Sequence, residues 1–108
     1  MQERAVRVVP QRAITVTIET PPRAPSYGVV ANISEGGACL LTDSILPLGE
    51  TVSVELAFFR EPEIVPAAGR VVWSSGNLNV GAVRSGVEWS PGSGNHGLQD
   101  LIRRAASS

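Results

Sequence analysis

Apolar residues occupy every second position in two separate stretches of the chain, residues 13–19 (AITVTIE) and 51–59 (TVSVELAFF). Successive side chains of a β-strand point to opposite sides, so this alternation gathers the apolar side chains on one face. The same residues in a helix would be scattered around its surface. Each stretch is therefore predicted to be a strand with one face in a core and the other in solvent.

Turn-forming residues divide most of the remaining chain into further short strands. Proline, glycine and short polar residues concentrate in segments 20–26, 34–37, 46–50, 60–66 and 75–79. The apolar segments between them are 27–33, 38–42, 67–75 and 80–89. About six strands separated by frequent turns are typical of a small antiparallel barrel.

The C-terminal segment has helical rather than strand spacing. Leu98, Leu101 and Ile102 follow an i, i+3, i+4 stripe, and two arginines lie near its end, where cations favour the helix dipole. The predicted fold is all-β: a six-stranded antiparallel barrel with one C-terminal α-helix over residues 13–108. An extended, arginine-bearing arm is predicted to precede it at residues 1–12.

Composition excludes several classes of function. The 108 residues fit one domain, and nine basic against ten acidic residues leave a net charge of −1, with no field to recruit DNA, RNA or an anionic membrane. No segment approaches the roughly 18 apolar residues of a membrane span, and the N-terminus lacks the apolar core of a signal peptide. We expect a cytoplasmic protein without nucleic-acid binding or membrane insertion.

Catalysis and metal binding lack the residues they require. Cys39 is the only cysteine and has apolar neighbours, so it is predicted to be a buried structural thiol. His96 is the only histidine, and Glu61 and Glu63 flank a proline in a predicted surface loop. We expect no catalytic site, no metal and no cofactor, and hence a protein that is not an enzyme.

The segment NISEGG, which follows a predicted strand, is the most informative turn of the sequence. Asn32 and Ser34, two residues apart, can project to one face at the end of the strand. Gly36 and Gly37 let the backbone approach a ligand without a Cβ in the way. A polar ligand could bind at this turn, and an ordinary hairpin turn is the alternative.

This segment, followed by ACLLT, resembles the Asn/Asp-x-Ser-x-x-Gly signature of PilZ domains, the bacterial receptors for cyclic di-GMP. Asn32, Ser34 and Gly37 match the signature position by position. The resemblance extends along the chain, through the arginine arm, the VVW strand at 71–73, the Gly-Val-x-aromatic segment at 86–89 and the closing helix. It implies a PilZ-like barrel whose ligand is cyclic di-GMP.

The resemblance also implies which residues would hold that ligand. Arg4, Arg7 and Arg12 would clamp its guanines and phosphates, because a guanidinium can donate two parallel hydrogen bonds to either group. The turn residues Asn32, Ser34, Gly36 and Gly37 would form the other side of the site. Trp89 is the preferred aromatic candidate, ahead of Trp73, although a tryptophan at the end of an apolar strand more often packs in a core.

The arm departs from the family pattern, and this departure leaves two functions open. Nucleotide-binding PilZ domains carry two arginines separated by three residues, whereas Arg4 and Arg7 are separated by two, and Arg7 and Arg12 by four. The first prediction is a receptor whose arm is ordered by the ligand, which changes the surface shown to a protein effector in motility, pilus or exopolysaccharide control. The alternative is an adaptor that binds no nucleotide and acts through protein contacts alone.

Overall fold

The computed structural model describes residues 7–77, 82–91 and 95–106. The strands are β1 (Ile14–Glu19), β2 (Ser26–Ile33), β3 (Gly37–Thr42), β4 (Thr51–Phe58), β5 (Val65–Asn77) and β6 (Ala82–Trp89), and the helix is α1 (Asn95–Ala106). The described part of the chain contains no helix that is long and apolar enough to cross a membrane.

The six strands form one closed barrel in the order β1-β2-β3-β6-β5-β4. Every neighbouring pair is antiparallel, and pairing of β1 with β4, from Ile14 opposite Phe58 to Glu19 opposite Ser53, closes the ring. The predicted six-stranded antiparallel barrel with one C-terminal helix is confirmed.

The barrel interior holds the core that the alternating pattern predicts. The inward residues of β1 and β4 are all buried: Ile14, Val16, Ile18, Val52, Val54, Leu56 and Phe58. Helix α1 covers the end of the barrel where β5 starts and β6 ends, and it adds Leu98, Leu101 and Ala105 to the core. Burial of one large apolar side chain of this kind stabilises a fold by about 1.5–3 kcal/mol.

Two β-bulges interrupt the alternation, one in β2 between Val30 and Asn32 and one in β5 between Val71 and Trp73. A bulge inserts one extra residue, so it changes which face the following side chains point to. Past the bulges, the outward-facing residues Asn32, Cys39, Gly86 and Trp73 lie in one row across β2, β3, β6 and β5.

The hairpin formed by β5 and β6 is longer than the sequence predicts. Strand β5 begins at Val65, because proline is tolerated near the start of a strand and Pro66 can take part in it. At its other end, Gly76 and Asn77, which were expected in a turn, pair with β6. The connection between the two strands therefore falls within residues 78–81, which lie outside the described residues.

The arm runs along the end of the barrel that α1 covers. Val8 exchanges two backbone hydrogen bonds with Ile33, of 2.8 and 2.9 Å, and the backbone N–H of Gln11 donates to the carbonyl of Ala105 at 3.2 Å. These contacts join the described part of the arm to both β2 and the helix. The division of the chain into an arm and a barrel at residue 12 stays a prediction.

Candidate ligand site

A pocket of about 400 Å³ lies on the outside of the barrel, over the paired strands β3 and β6. The arm, the turn between β2 and β3, and the strands β3, β6 and β5 all contribute to its walls. The lining residues that matter for its chemistry are Arg7, Ser34, Gly36, Gly37, Trp73, Gly86 and Glu88.

Ser34 holds the turn at the edge of this pocket in one conformation. Its Oγ accepts a hydrogen bond from the Gly36 N–H at 3.2 Å, and its own backbone N–H donates to the Gly37 carbonyl at 2.8 Å. Ser34 is itself buried. A serine that bonds to its own turn in this way is preferred for a tight connection, so Ser34 serves the fold as well as the pocket wall.

Trp89 supports the same turn from inside the barrel. Its side chain is 8% exposed and belongs to the core. The indole Nε1–H donates to the Ser34 carbonyl at 3.1 Å, and the Trp89 backbone N–H donates to the Gly36 carbonyl at 2.9 Å. Trp89, the aromatic ligand candidate of the sequence analysis, therefore touches the site through Ser34 and Gly36 and does not line the pocket.

Trp73 is the aromatic side chain that lines the pocket. It is 39% exposed, and it lies on Gly86 so closely that a Cβ there would be 2.0 Å from the indole Nε1. The bulge in β5 turns Trp73 outward, whereas the sequence suggested core packing. The sequence signal for this arrangement is Gly86 itself, because a glycine inside a strand often marks the close approach of another group.

The two glycines of the turn have different surroundings. A Cβ on Gly37 would lie 2.2 Å from the carbonyl oxygen of Val87, so β3 and β6 pair here only because the side chain is missing. A Cβ on Gly36 would meet nothing closer than Ser34 Oγ at 3.9 Å. Gly37 is therefore required by the sheet, and Gly36 borders open space at the pocket.

Of the predicted arginines that the structure describes, Arg7 reaches the pocket. Its Nη1 donates to Oδ1 of Asn32 at 2.7 Å, and the backbone pairing of Val8 with Ile33 fixes the arm beside it. Asn32 therefore acts on the site by orienting Arg7. Nearby, burial raises the pKa of the Cys39 thiol, and the positive charges of Arg84 and Arg7 partly oppose that rise.

Arg12 lies in a different cluster. Its guanidinium stacks on the ring of Phe58, 4.3 Å from the ring centroid, and forms a 2.5 Å ion pair with Glu61. Arg104 of α1 stacks on the same ring at 5.0 Å and pairs with Glu63 at 2.8 Å. Of the three predicted arginines, Arg7 is in the pocket and Arg12 is not, and Arg4 lies outside the described residues.

Opposite charges face each other across the pocket. Arg7 is held above β2, and Glu88 projects from β6, on the far side of β3. An exposed indole, a guanidinium and a carboxylate suit a flat, polar ligand with both donor and acceptor edges. Within the described ranges, no three His, Cys, Asp or Glu side chains are grouped to hold a metal ion.

Comparison with known proteins identifies the family. The sequence model of the PilZ domain matches residues 2–106. This chain belongs to the PilZ domain family. No curated protein sequence matches this PilZ domain at a significant level.

Solved structures share the fold of this PilZ domain. The PilZ domain with c-di-GMP of YcgR from Escherichia coli superposes with a TM-score of 0.75 at 13% identity, over 97% of this chain and 92% of that one. Escherichia coli YcgR in complex with c-di-GMP superposes with a TM-score of 0.72 at 15% identity, over 94% of this chain and 45% of that one. The Bacillus subtilis inhibitor of motility MotI/DgrA superposes with a TM-score of 0.67 at 19% identity, over 96% of this chain and 51% of that one. This chain thus spans about half the length of the latter two proteins.

Proposed function

We propose that this PilZ domain is a receptor for cyclic di-GMP and binds it in the pocket over β3 and β6. The main support for this proposal is that one pocket is lined by Arg7, by the turn at Ser34 and by the indole of Trp73. Escherichia coli YcgR, whose PilZ domain has the same fold, is described with c-di-GMP in two structures, which supports the choice of ligand.

The chemistry of the pocket suits such a ligand. A guanine can stack on the exposed indole of Trp73, and stacking of a base on an aromatic side chain contributes about 1–3 kcal/mol. Arg7 can donate two hydrogen bonds to a phosphate or to O6 and N7 of guanine. The open space at Gly36 leaves room for the sugar-phosphate ring against the turn.

The arm offers a route from ligand to effector. Arg7 contacts the pocket, and four residues later Gln11 bonds to Ala105 of α1. A ligand that draws Arg7 toward it would therefore shift the arm relative to the helix and change the surface shown to a protein effector. We assign this signalling role, without catalysis, to the cytoplasm and to control of motility, pili or exopolysaccharide; MotI/DgrA is named an inhibitor of motility.

One observation favours a second candidate, an adaptor that binds no nucleotide. Arg12 is held by Phe58 and Glu61, away from the pocket, so Arg7 has no second arm arginine beside it among the described residues. A protein partner could recognise the arm and the helix without any ligand.

Calorimetric titration of the whole chain with cyclic di-GMP distinguishes these candidates. The receptor proposal expects binding by wild type and a loss of affinity of about 30-fold to 150-fold in Arg7→Ala, which corresponds to the 2–3 kcal/mol of a charge-assisted contact. Arg23→Ala is the matched control, because Arg23 pairs with Glu50 outside this pocket. If wild type shows no heat of binding at high micromolar ligand, the receptor proposal fails and the adaptor remains.

A further inference from the structure

Glu88 places a carboxylate in the pocket where its acceptor capacity is largely unused. It stands opposite Gly37 on β6, two residues beyond the Gly86 on which Trp73 lies. Its side chain is 65% exposed, and among the described residues its ion-pair partner is Arg70, at 3.9 Å, which is beyond hydrogen-bond distance. Among the described residues, the carboxylate oxygens accept no hydrogen bond, so they remain available to a ligand.

A carboxylate has a specific match on guanine. The Watson–Crick edge of guanine carries two adjacent donors, N1–H and the N2 amino group, and the two oxygens of a carboxylate can accept both. Adenine has an unprotonated N1 and no amino group at C2, so the same carboxylate would face a lone pair. Arg7 is the complementary group for the O6 and N7 edge, where guanine has only acceptors.

We propose that Glu88 is the residue by which this pocket selects guanine over adenine, by accepting hydrogen bonds from N1–H and the N2 amino group. The inference rests on the proposed function, since it concerns the base of the same ligand. In this arrangement Trp73 supports the face of the base, Arg7 binds a phosphate or the O6 and N7 edge, and Glu88 binds the donor edge.

Because Glu88 is negatively charged, the direction in which its neutralisation changes the affinity for the ligand distinguishes two roles. Cyclic di-GMP carries two phosphates, and a carboxylate near them is repulsive. If Glu88 only repels the ligand, its neutralisation must tighten binding. If it accepts hydrogen bonds from the base, its neutralisation must weaken binding, and the loss must depend on which donors the base possesses.

The test is calorimetric titration of the whole chain and of Glu88→Gln with three cyclic dinucleotides: cyclic di-GMP, cyclic di-IMP, which lacks the N2 amino group, and cyclic di-AMP. Glu88→Gln should lower the affinity for cyclic di-GMP about tenfold or more. The loss for cyclic di-IMP should be several times smaller, and the affinity for cyclic di-AMP should stay the same or rise. Glu55→Gln, an exposed glutamate of β4 outside this pocket, should change none of the three affinities.

Several outcomes overturn the inference. Equal or tighter binding of cyclic di-GMP by Glu88→Gln overturns it, and so does an equal loss for all three ligands, which would indicate a structural effect. Glu88→Asp, which keeps the charge, provides a second variant and should retain more selectivity for guanine over adenine than Glu88→Gln. If wild type binds cyclic di-GMP and Glu88→Gln is unaffected, this inference alone fails; if wild type does not bind, the proposed function fails with it.

Discussion

The two tryptophans of this domain have different roles because their environments differ. Trp73 lies within β5, and Trp89 is the last residue of β6. Trp73 lines the same pocket as the turn at Ser34, and Trp89 bonds to that turn. Trp89 faces the interior and uses its ring N–H on the Ser34 carbonyl, while Trp73 rests on Gly86 with part of its ring exposed. The first is a structural support, and the second is available to a ligand.

Fluorescence should separate the two tryptophans. An exposed indole in the pocket should be quenched or shifted when a guanine stacks on it, whereas a core indole should not respond. We expect cyclic di-GMP to change the emission of wild type and to leave Trp73→Phe almost unchanged, with an affinity about tenfold lower by calorimetry. A full ligand-induced change in Trp73→Phe would place the base away from Trp73.

At the scale of elements, pairing between strands determines which positions of the turn can carry a side chain. Gly37 opens β3 directly against β6, and the carbonyl of Val87 occupies the space of a side chain. Gly36, one residue earlier, has no such neighbour. Gly37 is therefore needed for strand pairing and Gly36 is not, although the sequence alone does not distinguish these two adjacent glycines.

Alanine substitution at each glycine should reveal this difference. Gly37→Ala must separate β3 from β6 or distort both, so we expect its free energy of unfolding to fall by about 2–3 kcal/mol. Gly36→Ala should change it by no more than about 0.5 kcal/mol. Urea denaturation measures both values, and similar losses in the two variants would contradict this account of the turn.

The secondary-structure elements also differ in how well the sequence predicts them. Alternation identified β1 and β4, because their apolar positions fit an uninterrupted strand, and the stripe of Leu98 and Leu101 identified α1. The bulge positions were not predictable, since a bulge exists only relative to the partner strand that it is paired with. For that reason the pattern did not indicate that Trp73 faces outward, or that Glu88 would share a pocket with Arg7.

At the scale of the whole molecule, the fold buries the single thiol of the chain. Cys39 lies on β3 in the outward row between Asn32 and Gly86, yet it is buried. Its burial also raises the pKa of the thiol above its ordinary value. A higher pKa leaves a smaller thiolate fraction at neutral pH, and the thiolate is the reactive form.

Cys39 should therefore report on opening of the fold. We expect the native protein to react with a thiol-specific disulfide reagent at least about 100-fold more slowly at pH 7 than the protein in denaturant, because access requires local opening. The rate should rise as the pH increases through the raised pKa. Cys39→Ala provides the blank, and rapid labelling of the native protein would show that the thiol is accessible.

Closure of the barrel also restricts how another protein can recognise this domain. In an open sheet the last strand presents unpaired backbone groups, and a partner can add its own strand there with little regard to side chains. Here β1 pairs with β4, so the ring has no such edge where all six strands are paired. Among the described residues, β5 past Val71 lacks a second neighbour, because its pairing with β4 ends at Arg70 while its pairing with β6 continues to Asn77. Along the closed part of the ring, an effector therefore has to recognise the shape and the side chains of loops, arm and helix. A rearranged arm would alter those surfaces and leave the backbone of the closed ring unchanged.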